Sequence, residues 1–243
     1  MVNDLIESKN EILRQWIQDS NQIVFFGGAG VSTESGIPDF RSTDGLYHTK
    51  YSYPPEMILS HSFFVRNTKE FYEFYRDKMI YQKAEPNETH RKLSELEKKG
   101  KLSGIVTQNI DGLHQKAGSK KVLELHGSIH RNYCQKCHSF YSLDYILEVE
   151  NIPLCSCGGI IKPDVTLYEE ALDSDIMKEA VQLISQAEVM IIGGTSLSVY
   201  PAAGLVNYYQ GDKLVLINKT VTPYDKNANL LINDQLGEVF SKL

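Results

Sequence analysis

The chain of 243 residues contains no apolar run approaching the ~20 residues that a membrane-crossing helix needs, which argues against a helical span. It has no excess of positive charge either. With 25 Lys and Arg against 31 Asp and Glu, the net charge is −6, which argues against a general nucleic-acid binder. Low-complexity tracts and internal repeats are missing, so solenoids and propellers are excluded. The stretch Met1 to Glu11 lacks the basic start and apolar core of a signal peptide, and carries Asp4, Glu7 and Glu11 instead. Cysteine is scarce, at four. Without a secretory signal, these thiols are expected in a reducing, cytoplasmic setting, where metal binding is favoured over disulfides. What remains is ordinary for a globular protein, 42% hydrophobic and 23% charged, and long enough for one large domain with a small insert.

Residues 3–19 carry Leu5, Ile6, Ile12, Leu13, Trp16 and Ile17 near helical spacing. A short apolar run, Ile23-Val24-Phe25-Phe26, then leads into Gly27-Gly28-Ala29-Gly30. Similar runs follow at Gly104 to Thr107, Val122 to Leu125, Val189 to Ile192, Leu214 to Ile217 and Leu230 to Ile232. Such runs fit strands buried on both faces, and helical patterns at 88–99, 173–187 and 201–209 lie between them. The alternation predicts an α/β, Rossmann-like, doubly wound parallel sheet. Two stretches interrupt it: 47–83, rich in Tyr and Phe, and 130–159, which holds every cysteine. The expected division is a dinucleotide-type domain from 1–46, 84–129 and 160–243. A helical module (47–83) and a metal-binding module (130–159) would together form a smaller domain.

Gly28-Ala29-Gly30-Val31-Ser32 stands where the first strand ends, the place where doubly wound sheets bind ligands, and its glycines allow a tight turn and close approach to a pyrophosphate. A glycine turn that merely connects strand to helix is the plainer alternative. The dehydrogenase fingerprint is incomplete, since Thr33 occupies the third glycine position and no acidic residue closes a second strand. Hydride transfer is therefore disfavoured. Polar residues also close later strands: Gln108-Asn109-Ile110-Asp111, His126-Gly127, Gly193-Gly194-Thr195-Ser196 and Asn218. Asp111 could simply cap a helix beginning near Gly112. His126, at the ligand end of a strand, can serve as a general base near neutral pH.

Cys134-x2-Cys137, seventeen residues, then Cys155-x-Cys157 approximates the paired-thiolate spacing of tetrahedral zinc. A redox C-x-x-C would leave the second pair unexplained. Four protein ligands leave no open position, so one structural zinc per chain is expected, with no catalytic role.

Taken with Ser35-Gly36-Ile37-Pro38-Asp39-Phe40-Arg41, Leu125-His126-Gly127, Gly194-Thr195-Ser196-Leu197 and Tyr200-Pro201-Ala202-Ala203, these motifs resemble the sirtuins in order and spacing over about residues 21 to 240, most closely the compact bacterial members. The resemblance implies an NAD-dependent protein lysine deacetylase that gives free lysine, nicotinamide and O-acetyl-ADP-ribose. It also implies a cleft between the two domains. Ala29, Thr33, Phe40 and Arg41 would line the NAD loop, beside Gly28 and Gly30. Gln108, Asn109, Ile110 and Asp111 would surround the nicotinamide ribose. Gly194, Thr195, Ser196 and Asn218 would hold the adenosine half. His126 would be the base and would also contact the NAD, with Asn109 and Asp111 as its catalytic companions. Partners would be acyl-lysine proteins or peptides, with no direct contact to nucleic acid or membrane.

The sequence departs from that pattern at Gly27, where threonine is common, and at Lys162 to Glu170, a stretch that usually ends Phe-Gly-Glu and faces the substrate backbone. Glu169 and Glu170 would favour basic peptides if they face the cleft, and are solvated surface glutamates otherwise. The Tyr-x-x-Arg pair of family members that prefer acidic acyl chains is matched by Tyr72 and Tyr75, with Arg76 one step further round the helix. Neutral acyl groups are therefore expected. A mono-ADP-ribosyltransferase would use the same NAD loop and is the main alternative. A non-catalytic NAD sensor or zinc scaffold would need none of Asn109, Asp111 and His126.

Overall fold

The computed structural model describes residues 2–40 and 52–243. Six parallel strands form the main sheet in the order β3-β2-β1-β7-β8-β9. They are β1 (Ile23–Gly27), β2 (Leu102–Thr107), β3 (Val122–Glu124), β7 (Val189–Gly193), β8 (Leu214–Ile217) and β9 (Leu230–Ile232). A three-stranded antiparallel sheet, β5-β4-β6, is made from β4 (Gly127–Cys134), β5 (Phe140–Tyr141) and β6 (Ile161–Val165). The helices are α1 (Val2–Asp19), α2 (Pro55–Ile58), α3 (His61–Arg66), α4 (Thr68–Lys78), α5 (Glu88–Lys98), α6 (Leu113–Lys116), α7 (Leu143–Glu148), α8 (Ser174–Ser185) and α9 (Leu236–Phe240). Among the described residues no helix is long and apolar enough to cross a membrane.

Alternation along β1 explains the layering. Ile23 and Phe25 pack with Leu13, Leu93, Val239 and Phe240 under α1, α5 and α9; Val24 and Phe26 face Ala180, Ile184 and Leu205 on the other side. Both faces of the sheet are covered, so its strands are apolar throughout. A third core joins the small sheet to α2, α3, α4 and α7 through Ile58, Phe64, Phe71, Tyr72, Ile146 and Ile161. This is the α/β architecture expected, with one difference in detail. The segment predicted as a helix at 201–209 is a 3-10 helix, Ala202–Tyr208.

Helix α5 begins at a capping box in which Asn87 accepts from Thr89 and His90 N–H groups, while His90 Nδ1 accepts from Asn87 N–H. His90 is fully buried, with its ring 4.7 Å from that of His114, which is also fully buried. Burial pushes the His90 imidazole down to about 4 and His114 well below its usual value, the neighbouring cation or imidazole adding to the effect. Both are neutral in the fold, whereas the unfolded chain takes up these protons below about pH 6.5. Their contribution is complete above that value and is lost as pH falls toward the folded pKa. From His90 alone the loss reaches roughly 2 kcal/mol by pH 5. Urea titrations at pH 7 and pH 5 should show it; an unchanged midpoint would contradict the assignment.

Candidate active site

Register brings the motifs together. Gly27 pairs with Thr107 on one side and Gly193 on the other; Thr107 pairs with Glu124 and Gly193 with Ile217. The residues following these strands therefore share one rim. The order of the strands reverses at β1, with β2 on one flank and β7 on the other, which opens a crevice there. A cleft of about 690 Å³ occupies it. Its walls include Gly28, Ala29, Gly30, Thr33, Phe40, Gln108, Asn109, Ile110, Asp111, His126, Gly194, Thr195, Ser196 and Asn218. Arg41 lies outside the described residues.

The glycine turn is closed against its counterpart on β7. Gly30 N–H donates to Gly194 O at 2.8 Å, and a Cβ on Gly30 would stand 2.8 Å from Gly194 backbone atoms. Glycine at 30 is thus demanded first by contact between two strand-end turns, as well as by access for a ligand. Beside it, Gln108 Nε2 donates to Thr195 Oγ1 at 3.0 Å, and Asn218 Nδ2 to Thr195 O at 2.8 Å. These bonds fix the strand ends relative to one another.

Ser32 is the residue that sequence reasoning missed. Its hydroxyl donates to Asp111 Oδ2 at 2.6 Å and accepts from Asn109 Nδ2 at 3.1 Å. Ser32 stands in the glycine motif, and a hydroxyl immediately after the turn was the available signal. Asp111 Oδ1 also accepts from Leu113 N–H at 2.9 Å, so the cap expected for it exists alongside the network. Burial pushes the Asp111 carboxyl above its ordinary value, against the pull of the Ser32 and Leu113 donors. Lys219, Thr220 and Asp234, each just past β8 or β9, also line the cleft; the same strand-end rule that selected Asn218 would have found them.

His126 stands on the crossover from β3, in the large sheet, to β4, in the small one. Its Nδ1 lies 3.0 Å from Gln108 O, and Thr166 N–H donates to its carbonyl at 3.0 Å. A carbonyl only accepts, so Nδ1 carries the proton and Nε2 keeps its lone pair. Burial lowers the imidazole pKa by more than the Gln108 bond raises it, so the ring is neutral at pH 7. At the next residue, Gly127 has φ +75 and its position for a Cβ is filled by Asp164 O, so glycine is obligatory beside the histidine. Arg131 ties the two sheets together round this crossover, bonding Glu124 and Asp164 at 2.7 Å each.

The cysteines converge. Among the described residues their four Sγ atoms form the one cluster of potential metal ligands, all within 4.8 Å of one another. Cys134 and Cys137 lie 3.5 Å from Cys157 and Cys155 respectively, and Cys137 lies 3.4 Å from Cys157. Disulfides require about 2.05 Å, and the thiols are free. Tetrahedral Zn–S bonds of about 2.3 Å place sulfurs about 3.8 Å apart, so the donor set fits zinc closely. Each pair is followed by a left-handed residue, His138 (φ 60) or Gly158 (φ 79), whose N–H returns to the carbonyl of Cys134 or Cys155. The single-residue gap in the second pair is thus accommodated by the same kind of knuckle.

Two readings of the substrate side gain detail from the packing. Glu169 and Glu170 do border the cleft, but their carboxylates are engaged within the protein: Glu169 with Ser62, and Glu170 with Lys162, His61 and Leu167 N–H. Tyr72 and Tyr75 are fully buried in the small-sheet core, Tyr72 Oη donating to Ile161 O and Tyr75 stacked on Phe71, and they do not border the cleft. Arg76 points away, as expected, onto the carbonyls of Ile146, Glu150 and Asn151.

A family model described as the Sir2 family matches residues 28–201. Among curated proteins, one named NAD-dependent protein deacetylase from Clostridium acetobutylicum is 59% identical over 97% of each chain. A protein of the same name from Clostridium perfringens is 57% identical over 98% of this chain and 99% of its own. Among solved structures, a Sir2 protein with deacetylated p53 peptide and 3'-O-acetyl-ADP-ribose is 40% identical, with a TM-score of 0.88 over 96% of both chains. A second, with p53 peptide and NAD+, is 39% identical, with a TM-score of 0.84 over 95% of both.

Proposed function

The chain belongs to the Sir2 family, and from that premise we infer how its own residues perform the NAD-dependent deacetylation of protein lysines. The observation that carries the assignment of roles is the meeting of His126 with the Ser32–Asn109–Asp111 network in one cleft. When bound, NAD would supply an electrophilic ribose carbon, to which the acyl oxygen of the substrate bonds as the bond to nicotinamide breaks. The strand-end residues Gly28, Ala29, Gly30, Gly194, Thr195, Ser196 and Asn218 would hold its pyrophosphate and adenosine half, with Thr33 at the loop. Gln108, Asn109, Ile110 and Asp111 would surround the nicotinamide ribose, and Asn109 and Asp111, fixed through Ser32, would set its orientation without rearrangement. Arg41 is proposed for the NAD loop on the family pattern alone.

Phe40 and Ile110 both border the cleft and pack on the small-sheet core, a placement suited to excluding water. His126 Nε2, neutral and unblocked by the Gln108 bond, would remove the proton from a ribose hydroxyl. The domain division proposed is 1–46, 84–129 and 160–243 for the NAD-binding part, with 47–83 and 130–159 as the smaller part. A cytoplasmic location is proposed on the same footing.

Incubation with NAD and an acetyl-lysine peptide, followed by mass spectrometry, tests the activity. O-acetyl-ADP-ribose with loss of acetyl from the peptide supports it; a peptide that gains ADP-ribose would point to a mono-ADP-ribosyltransferase instead.

Acyl preference follows from the cleft lining. Among its described residues the cations are Lys78 and Lys219, with no arginine to clamp the carboxylate of an acyl chain through two bonds, and a carboxylate buried without such a clamp is costly. Acetyl-lysine should exceed succinyl-lysine in kcat/KM by roughly tenfold or more, the factor that about 1.4 kcal/mol of lost pairing gives. Equal turnover of matched peptides would show that another cation serves.

A further inference from the structure

The wall of the cleft opposite the strand-end rim is the segment Val165 to Glu170. Val165 and Leu167 are buried in the small-sheet core, which leaves Thr166 and Tyr168 turned outward. Thr166 N–H is bonded to His126 O, so the course of this segment is registered directly to the proposed base. With the strand-end rim taken up by the nucleotide, this wall is the surface left for the chain that carries the acyl-lysine.

The segment ends in a turn closed by Glu170 N–H donating to Leu167 O at 3.0 Å. Glu169 is its third residue, at φ 76. A turn of this kind, with positive φ at the third position, calls for glycine or asparagine, because a Cβ there is strained. A glutamate holds the position here, and its contacts say how. Glu169 Oε2 accepts from Ser62 N–H at 2.9 Å, and Oε1 from Ser62 Oγ at 3.0 Å. Ser62 lies in the first turn of α3, whose other leading N–H groups are also met: His61 N–H by Tyr168 O, and Phe63 N–H by Ser60 Oγ. Tyr168 N–H in turn donates to Leu59 O. Glu170 adds bonds to His61 and Lys162. The turn and the start of α3 are thus built as one unit, in which the Glu169 carboxylate offsets the strain of its own backbone.

We propose that Glu169 is a positioning residue for the acyl-lysine substrate: its carboxylate, bound to the start of α3, holds a left-handed turn that sets the course of the cleft-lining segment Val165 to Tyr168. The proposal rests on the deacetylase function inferred above. It also separates two ways in which Glu169 could act. If the turn matters, glycine can replace the glutamate, because glycine adopts the same backbone without help. If negative charge at the cleft matters, glycine and alanine should be equally harmful.

The test is steady-state kinetics on Glu169→Ala and Glu169→Gly, with KM for an acetyl-lysine peptide and for NAD measured separately. Glu169→Ala should raise the peptide KM by roughly fivefold to tenfold, since the cap is lost and the strain remains, with KM for NAD little changed. Glu169→Gly should return the peptide KM to within about twofold of the parent. Ser62→Ala should raise it in the parent and leave it unaltered in the Glu169→Gly background, the signature of a shared interaction. Near-UV circular dichroism reports whether Glu169→Ala folds; if it does not, the Ser62→Ala pair decides. An unchanged peptide KM in Glu169→Ala, parallel rises in both KM values, or equal harm from alanine and glycine would each overturn the proposal while leaving the deacetylase function intact. A parent protein that forms no O-acetyl-ADP-ribose would overturn both.

Discussion

Replacing His126 with alanine is expected to lower deacetylation by roughly 10²–10⁴-fold, the usual worth of a positioned general base, while NAD binding stays near that of the parent. The expectation rests on Nε2. Nδ1 is committed to Gln108 O, and the ring is held neutral by burial, so Nε2 is the nitrogen left to take a proton. Because the strand-end contacts that would hold the nucleotide do not pass through this ring, a binding titration with NAD should scarcely change. The pH profile gives a second check. A base works in its neutral form, so the rate is complete above the folded pKa and falls as pH drops through it. Burial places that pKa below the usual 6.5, so the acid limb of kcat/KM should lie below pH 6.5. Near-normal turnover in His126→Ala would remove this residue from the mechanism, and an acid limb well above pH 6.5 would contradict its environment.

Stripping zinc is expected to abolish both the small sheet and the activity. Cys134 closes β4 and Cys155 lies shortly before β6, so the metal would join the two strands that carry Ile129 and the Val165 to Glu170 wall into the cleft. Cys134 and Cys155 are buried in the same core as Tyr72, Ile146 and Ile161. Structural zinc in small modules contributes on the order of 10 kcal/mol, far more than this short sheet can replace by other contacts. Elemental analysis should find about one zinc per chain, consistent with a closed four-thiolate shell. Cys134→Ala and Cys155→Ala should lose near-UV dichroism and turnover together. Well-folded, active protein without zinc would sink the assignment.

Much of this was legible in order along the chain. The apolar runs at Ile23, Val189 and Leu214 became buried parallel strands because a sheet covered on both faces leaves no polar position to blur the pattern. The cysteine spacing was equally plain, since a tetrahedral metal tolerates few arrangements of four thiolates. A misreading arose where local signals overlap. The segment 201–209 has helical spacing over too few residues to distinguish a 3-10 helix from an α-helix. The lack of a Tyr-x-x-Arg clamp was legible, since Tyr75 stands in place of the arginine; that α4 turns Tyr72 and Tyr75 into the core was not, because it depends on their packing with Phe71 and Ile161.

By itself the sequence determined the fold class, the four cysteines that converge as candidate metal ligands and the set of residues at the strand ends, because each depends on local pattern or on spacing. Tertiary structure alone decided how those residues serve one another. Ser32 joins Asn109 to Asp111 across 77 and 79 positions of the chain, and Gln108 selects the tautomer of a histidine 18 residues away. From the sequence Glu169 reads as either a surface charge or a charge aimed at substrate; it is exposed at the cleft border, but its carboxylate is engaged within the protein. Its carboxylate is bound to Ser62, 107 residues away, and no local pattern records a hydrogen bond that exists only once two distant segments have packed.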